Sequence, residues 1–399
     1  MRLVSVNPAF PSVEAIADQA LDLVASGGLA ELTLRPLATR LGVSVPVISS
    51  RMGSKEQLIE RVTEHAHARD VAFHARWLAR QRDLGPMDAA ARAALVELAL
   101  RDWVEAERRQ LILLIELVHD YALRPDRSSA LERWLEEAGR FWSRLLFDDP
   151  DLADFAMGYA LDEAGFSLSA GDNPLYVLLR VLGLQRLTRG MFPGDETATD
   201  TASALIAMLD PPAPPSVEES DPKRQRIADR AADLIVSSGI ERVTHRSVAL
   251  AAGMPASTVV YHFGARASLV AAGLHTVIAR FSARQRDARS GEDGAWKAEP
   301  SAQDLLKATS MIALAAVREP SLASYALDMR RRRGENVRPG DLPKLGLGVG
   351  AGFDRLAGQV FSVAVFGMGM IGLACKRPRD EHYQGAFARF EAWRLRSVA

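Results

Sequence analysis

The 399-residue chain is poor in the residues that build disulfides and metal centres, since it contains a single cysteine, Cys375. One thiol cannot form an internal disulfide or a multi-cysteine zinc or iron–sulfur site. The chain also lacks an excess of charge of either sign, with a formal net charge of −1. That balance neither favours nor excludes a nucleic acid as partner, because binding requires a basic face and not a basic average.

Long apolar runs are equally scarce. The start of the chain, MRLVSVNPAFPSVEAIADQ, holds no apolar stretch long enough for a signal peptide, so we expect a cytoplasmic protein. One segment, 356–374, is nearly as apolar as a membrane span. Gln359 and Ser362 interrupt it and no second span occurs, so we interpret it as a buried helix and expect no membrane partner. A membrane helix is the alternative.

Runs of alternating apolar and polar residues, which are typical of half-buried strands, are also missing. Apolar residues instead recur at helical spacing over long segments. We therefore predict an all-α fold, with helices over 54–82, 86–108, 110–123, 128–147, 150–169, 174–191 and 197–209, and again over 265–289, 301–317, 320–333, 352–376 and 380–397.

A shift of 211 residues aligns two stretches of the chain without a gap. Residues 16–58 lie over 227–269, and 14 of these 43 positions are identical. A period of this length indicates a duplicated domain. The Pro-rich and then acidic segment between the copies predicts an extended linker. We divide the chain into a first head (1–60), a first body (61–209), a linker (210–222), a second head (223–270) and a second body (271–399).

Each copy of the repeat has the pattern of three short helices. A first amphipathic helix ends at glycine, and Thr33 or Thr244 is placed to cap a second helix of about eight residues. That helix stops at Gly42 or Gly253, and Ser44 caps a third helix in the first copy. Helix, glycine turn and short helix at this spacing predict a helix-turn-helix, whose last helix enters the major groove of DNA.

The third helix of the second copy carries small and hydroxyl side chains opposite Val259 and Phe263. Such side chains permit close approach to base edges and phosphates. We therefore predict a DNA-contacting surface on each head. In the first head it comprises Thr33, Arg35, Ser44, Val45, Ser49, Ser50, Arg51 and Lys55. In the second head it comprises Lys223, Arg224, Thr244, Arg246, Ala256, Ser257, Thr258, Tyr261, His262 and Arg266.

These residues resemble the DNA-binding domain of TetR-family transcriptional repressors. The shared pattern is T-x-R-x-x-A-x-x-x-G-[VM]-x-x-x-x-[VI]-x-x-x-[FM]-x-x-[KR]-x-x-L, with YHFG in the second copy and GSKEQLI in the first. The resemblance implies an all-helical ligand-binding domain behind each head and dimerisation through the last helices, about 174–209 and 352–397. Because a subunit of that family is about half this chain, the chain resembles two fused subunits that pair as a pseudo-dimer.

The resemblance also implies a function. We expect a DNA-binding transcriptional regulator, specifically a repressor released by a small-molecule effector. The expected partners are a non-palindromic double-stranded operator and an unidentified small-molecule effector, with the chain acting as a monomeric pseudo-dimer or a homodimer. The sequence contains no nucleophile elbow, metal-ligand cluster or phosphate loop, so we expect no enzyme, cofactor or metal.

A degenerate regulator that binds a ligand or a protein, but not DNA, is the alternative. The first head favours it, because Ser49 stands where the family usually has tyrosine and Arg51-Met52 where it usually has His-Phe. The heads also differ in charge. Residues 12–60 contain four basic and six acidic residues, whereas 221–270 contain seven and four, including a basic arm before the first helix. We expect the second head to supply most of the nonspecific affinity.

The first body is rich in aromatic residues, and two interpretations are open. They form an ordinary core, or they line a pocket for an apolar or planar ligand. The candidate pocket residues are Trp77, Trp103, Trp134, Phe141, Trp142, Phe155 and Tyr159. In the second body, the run RRRR at 330–333 predicts the end of a helix, where positive charge stabilises the negative pole.

Overall fold

The computed structural model of the chain describes residues 11–191, 196–209, 221–290, 300–335, 337, 342–343, 347–348 and 353–396. The first half contains α1 (Val13–Gly27), α2 (Leu34–Leu41), α3 (Val45–Met52), α4 (Lys55–Leu84), α5 (Ala89–Glu105), α6 (Arg108–Leu123), α7 (Ser129–Phe147), α8 (Ala153–Ala170), α9 (Pro174–Thr188) and α10 (Glu196–Met208). The second half contains α11 (Pro222–Ser238), α12 (His245–Ala252), α13 (Ala256–His262), α14 (Arg266–Ser290), α15 (Pro300–Arg318), α16 (Ala323–Arg331), α17 (Arg355–Ala374) and α18 (Arg379–Arg396).

The predicted all-α fold is confirmed, since no strand occurs among the described residues. Every helix predicted from apolar spacing is present, with ends shifted by a few residues. Residues 210–220 of the predicted linker lie outside the described residues. The basic arm predicted before the second head is instead the first turn of α11, because Pro222 occupies its first position and Asp221 caps it.

Capping residues set several helix starts. Ser54 accepts a hydrogen bond from the N–H of Gln57, whose side chain accepts one from the N–H of Ser54, so a capping box begins α4. Thr244 begins α12 with a second capping box, as its predicted role requires. Thr33 and Ser44 occupy the N-cap positions of α2 and α3, but neither hydroxyl group bonds to the helix that follows.

The turn between the last two helices of each head depends on glycine. Gly42 has φ of 66° and Gly253 has φ of 64°, in the left-handed region that other residues enter only at a cost. After each turn the next helix packs on the head. In this position α3 buries Ile48 and α13 buries Val259. Both heads are therefore three-helix units of the predicted helix-turn-helix type.

The same ion pair fastens each head to the helix behind it. Arg69 on α4 lies 2.8 Å from Asp18 on α1, and Arg280 on α14 lies 2.8 Å from Asp229 on α11. Both pairs of positions are 211 residues apart, so the register of the repeat continues beyond the aligned stretch. The two heads thus meet their bodies through equivalent contacts.

The two halves of the chain pack against each other through α8 and α17. From the segment 352–397, which is predicted to form the contact, both α17 and α18 pack on α8. In the first half, α8 precedes the predicted segment 174–209, from which α9 and α10 contact α17. Gly158 and Gly367 meet at the centre of this packing, and a Cβ atom on Gly367 would overlap the carbonyl oxygen of Gly158. The interface therefore requires glycine at both positions.

The membrane alternative for the apolar segment 356–374 concerned α17. Among the described helices this one is long and apolar enough to cross a bilayer, but 83% of its apolar window is buried inside the protein. Its neighbours are α6, α8, α9, α10, α15 and α18. The helix is placed as a core element, as the buried-helix interpretation predicts.

The structure corrects the interpretation of the arginine run. Arg330 and Arg333 are buried and do not serve mainly as solvated charges at a helix end. Arg330 pairs with Glu163 at 2.8 Å, and Arg333 pairs with Asp162 at 2.9 Å, both on α8 of the first half. These arginines therefore connect the two halves.

The contact at Gly158 and Gly367 yields a prediction about stability. Gly367→Ala should lower the free energy of unfolding by about 1–3 kcal/mol, because the added methyl group overpacks a helix–helix contact. Gly165→Ala is the control on α8, since the nearest atoms to its added Cβ would be 3.9 Å away. It should be neutral or stabilising, because alanine favours helix over glycine. Thermal unfolding measures both, and equal effects would contradict the packing described.

Candidate nucleic-acid interface

The second head presents an open cleft between the start of α11 and the exposed side of α13. The apolar side of α13 faces inward through Val259, with Phe263 following the helix, as the sequence predicts. On the opposite side, the side chain of Tyr261 is 85% exposed. The cleft is lined by Asp221, Pro222, Lys223, Arg226, Ser257, Thr258, Tyr261 and His262. Basic and hydroxyl groups thus outnumber the one carboxylate in a groove that the backbone of a nucleic acid can enter.

Arg226 is a cleft residue that the predicted site omitted. Lys223 and Arg226 lie three residues apart and therefore share one face of α11. Both are exposed. Helical periodicity carried through the first turn of α11 would have placed Arg226 beside the predicted Lys223. Ala256, another predicted residue, is also exposed at the first position of α13.

Equivalent arginines lie on the second helix of each head. Arg35 on α2 and Arg246 on α12 are exposed, and neither guanidinium group forms a hydrogen bond or an ion pair with the described part of the chain. Their guanidinium groups are free to bind phosphate oxygens in the bidentate geometry that arginine favours. This equivalent placement supports the prediction that both residues contact the DNA backbone.

The first head offers a smaller polar surface. Four of its predicted contact residues are exposed and four are partly buried. The exposed ones are Arg35, Ser44, Val45 and Ser50, and the partly buried ones are Thr33, Ser49, Arg51 and Lys55. The Ser49 hydroxyl donates to the carbonyl of Pro46 and the Ser50 hydroxyl to that of Val47. These hydroxyl groups already have local partners, so they retain only acceptor capacity for a base edge.

Four of the predicted contact residues in the second head have internal partners, namely Arg224, Thr244, His262 and Arg266. Arg266 donates to the carbonyls of Val243 and Ile240, each at 2.8 Å, and pairs with Glu319. Such a guanidinium holds the head against the body. We infer that Arg266 positions the head, although its direct contact with DNA stays a prediction.

Arg224 and His262 act together at the end of α13. The Arg224 guanidinium donates to the carbonyl of His262 and lies 4.6 Å from the centre of the Phe263 ring. His262 Nδ1 lies 3.3 Å from a carboxylate oxygen of Asp221. The backbone N–H of Lys223 bonds to Asp221 and holds the pKa of its carboxyl below the ordinary value. This arrangement fixes the angle between α11 and α13, the two walls of the cleft.

The seven aromatic residues of the candidate ligand pocket are all buried in the first body. Trp103 and Trp142 lie 5.2 Å apart between ring centres, and Phe141 contacts Trp142 at 4.9 Å. Trp77 donates to Asp102 at 2.8 Å. This mutual packing favours the ordinary-core interpretation, and a ligand pocket among these residues stays a prediction.

A buried carboxyl lies inside this aromatic cluster. Asp70 on α4 accepts hydrogen bonds from the indole N–H groups of Trp103 at 2.9 Å and Trp134 at 2.7 Å. Burial raises the pKa of Asp70 to about 7, although the two indoles favour the charged form. His74 lies 3.6 Å away and stacks on Phe141, and burial lowers its pKa to about 3. Sequence reasoning found the aromatics but missed this pair.

Comparison with known protein families bears on the first head. Residues 16–62 match the family described as bacterial regulatory proteins, tetR family. The match covers α1, α2, α3 and the start of α4, the elements that form the helix-turn-helix and its support. It supports a DNA-binding transcriptional regulator of the TetR type, and regulators of that family are generally non-enzymatic. A search of curated proteins finds no match to the chain.

The unpaired arginines yield a prediction about DNA affinity. Arg35→Ala and Arg246→Ala should each weaken binding about equally for all sequences and reduce the salt slope by about 1, because each removes one phosphate contact. Arg101→Ala is the control, since Arg101 is exposed on α5 and pairs with Glu105. Fluorescence anisotropy with a labelled duplex at several salt concentrations measures the effect. Unchanged slopes in both head variants would contradict the phosphate assignment.

The buried Asp70 yields a prediction about pH. Its folded-state pKa of about 7 exceeds the ordinary value of 3.8, so the folded protein keeps a proton that the unfolded chain has released. The contribution of this proton to stability is fully present below about pH 4 and is lost as the pH rises through about 7. Wild-type stability relative to Asp70→Asn, which does not titrate, should therefore fall between about pH 4 and pH 7. Thermal unfolding of both proteins tests this, and a constant difference would contradict it.

Proposed function

We propose that this chain is a transcriptional repressor of the cytoplasm that binds its operator with two unlike heads carried on one polypeptide. The family match at residues 16–62 supports DNA binding by the first head. The second head supports a second contact through its equivalent glycine turn, its equivalent Asp–Arg pair and its basic cleft. The repeated helix-turn-helix is the observation that carries the proposal.

The pattern of contacts between the halves supports a pseudo-twofold arrangement. In the first half α6 packs on α1, and in the second half α15 packs on α11, so α6 and α15 are equivalent. Across the interface α6 contacts α17, and α15 contacts α8. The same contact thus occurs twice with the halves exchanged, which is the property of an isologous interface. A single chain then supplies what a homodimer supplies with two chains.

The groove-facing residues of the two heads differ, which supports a non-palindromic operator. Val260 is 47% exposed on α13, where the first head has Ser49. Leu250 is 85% exposed on α12, where the first head has Thr39. Exposed apolar groups match the C5 methyl group of thymine, whereas hydroxyl groups match hydrogen-bonding base edges. The two heads therefore read different half-sites.

A single arginine joins both heads to the bodies, which supports control by an effector. Arg318 on α15 lies 2.5 Å from Glu116 on α6 and 3.8 Å from Glu241 in the second head. It also donates to the carbonyl of Val24 in the first head at 3.4 Å. An effector that favours one arrangement of α6 and α15 would change the separation of the heads and release the operator. The aromatic first body is the proposed site of that effector.

Half-site selection tests the proposal. From random duplexes, the protein should select two half-sites of unlike sequence, and footprinting should show two protected patches. Val260→Ser should change the preference within one half-site only, because it replaces an apolar group on one recognition helix. Ser49→Val is the matched change in the other head. Selection of a perfect palindrome would contradict the proposal, since two copies of the same head would then be needed.

A regulator without DNA binding is the second candidate, favoured by the internally bonded Ser49 and Ser50. Affinity for random duplex DNA at several salt concentrations separates the two candidates. A steep negative dependence on salt supports the repressor, because binding to phosphates releases counterions. Absence of binding at low salt supports the second candidate.

A further inference from the structure

Four buried charged residues join the two halves beside the contact of α8 with α17. Arg330 binds Glu163 through Nη2 at 2.8 Å and Nε at 3.1 Å. Arg333 binds Asp162 through Nη2 at 2.9 Å and Nε at 3.1 Å. All four side chains are at most 3% exposed. Each pair is therefore bidentate and shielded from water.

The remaining polar groups of these residues are largely satisfied. Arg330 Nη1 donates to Gln359 and Arg333 Nη1 to Thr309, each at 3.0 Å. Tyr176 donates to Glu163 at 2.7 Å, and the guanidinium of Arg333 lies 3.7 Å from the centre of the Phe366 ring. A satisfied buried ion pair contributes little net stability, but removal of one partner leaves an uncompensated charge in the core. Such a cluster discriminates between partners with matching and unmatched charges more than it stabilises the matching pair.

The cluster is not symmetric between the halves. Helices that cross on a twofold axis meet at equivalent residues, so Gly158 on α8 corresponds to Gly367 on α17. With this register, Asp162 and Glu163 correspond to Ile371 and Gly372. The second half therefore has no acidic residue at the positions equivalent to Asp162 and Glu163, and the arginines that bind them lie in the second half.

We infer that these four residues are a pairing device, through which a first half accepts only a second half. Two first halves would bring four buried carboxylates together, and two second halves would leave four buried arginines without partners. The partner surface on α8 therefore fits α16 and α17 of this chain or of another copy. This inference rests on the proposed two-unit arrangement.

Two full-length variants test the inference. Asp162→Lys places a lysine opposite Arg333, and Arg333→Glu places a glutamate opposite Asp162, so each variant alone has like charges at this site. When the two chains are co-expressed, the first half of one can pair with the second half of the other. Both exchanged pairings then place opposite charges together. We expect a two-chain complex containing one copy of each variant.

The ion pair between Glu97 and Arg180 provides the matched control. The side chain of Arg180 is buried and that of Glu97 is partly buried, with Nε of Arg180 2.9 Å from Glu97. Unlike the inferred pairing residues, both belong to the first half. Glu97→Lys and Arg180→Glu therefore cannot be compensated by exchange of halves. Co-expression of these two variants should give no two-chain complex and no gain in melting temperature.

Native mass spectrometry and thermal unfolding provide the readouts. We expect the co-expressed Asp162→Lys and Arg333→Glu chains to form a dimer that is more stable than either variant alone. The double variant Asp162→Lys/Arg333→Glu should be a stable single chain. A mixture without two-chain complexes contradicts the inference, as does equal dimerisation in the control mixture. If neither the mixture nor the double variant is more stable than the single variants, the inference is also contradicted, because complementary charge would then not suffice. DNA affinity is measured separately, so the proposed function can fail or survive independently.

Discussion

The close approach of α8 and α17 at Gly158 and Gly367 is the constraint on which the rest of the structure depends. Without side chains at these positions, the two helix backbones come into direct contact. That contact brings Asp162 and Glu163 within reach of Arg330 in the last turn of α16 and of Arg333 just after it. Across the same join, α6 contacts α17 and α15 contacts α8, and these two helices pack on α1 and α11 of the heads. A single steric requirement thus fixes both the join between the halves and the placement of their heads.

The relative position of the two heads follows from this contact between the halves. DNA-binding heads that act together must match the spacing of two grooves, roughly 34–36 Å apart along the duplex. Equivalent Asp–Arg pairs hold the first head on α4 and the second head on α14, and Arg318 contacts the first head, the second head and α6. Equivalent contacts thus hold two heads whose exposed residues differ. Fusion into one chain guarantees that the two unlike heads always occur together.

Much of the fold follows from sequence patterns, because helical spacing and glycine turns are local properties. The repeat likewise placed Val259 and Phe263 inside the second head, where they are found. Arginines were the main source of error, since a basic residue in the sequence does not reveal its partner. Arg266 and Arg333 both have internal partners, whereas Arg246 does not. Asp70 was missed because no local pattern signals that two distant indoles converge on one carboxyl.

The central claim is that one chain forms a complete operator-binding unit, and the mass of the protein–DNA complex tests it most directly. A duplex selected by the protein, carrying a single site, is titrated with the full-length chain and the complex is weighed by native mass spectrometry. The account predicts one chain per duplex, with both halves of the site protected at that stoichiometry. A complex that requires two chains for full protection would contradict it, because each chain would then contribute only one head.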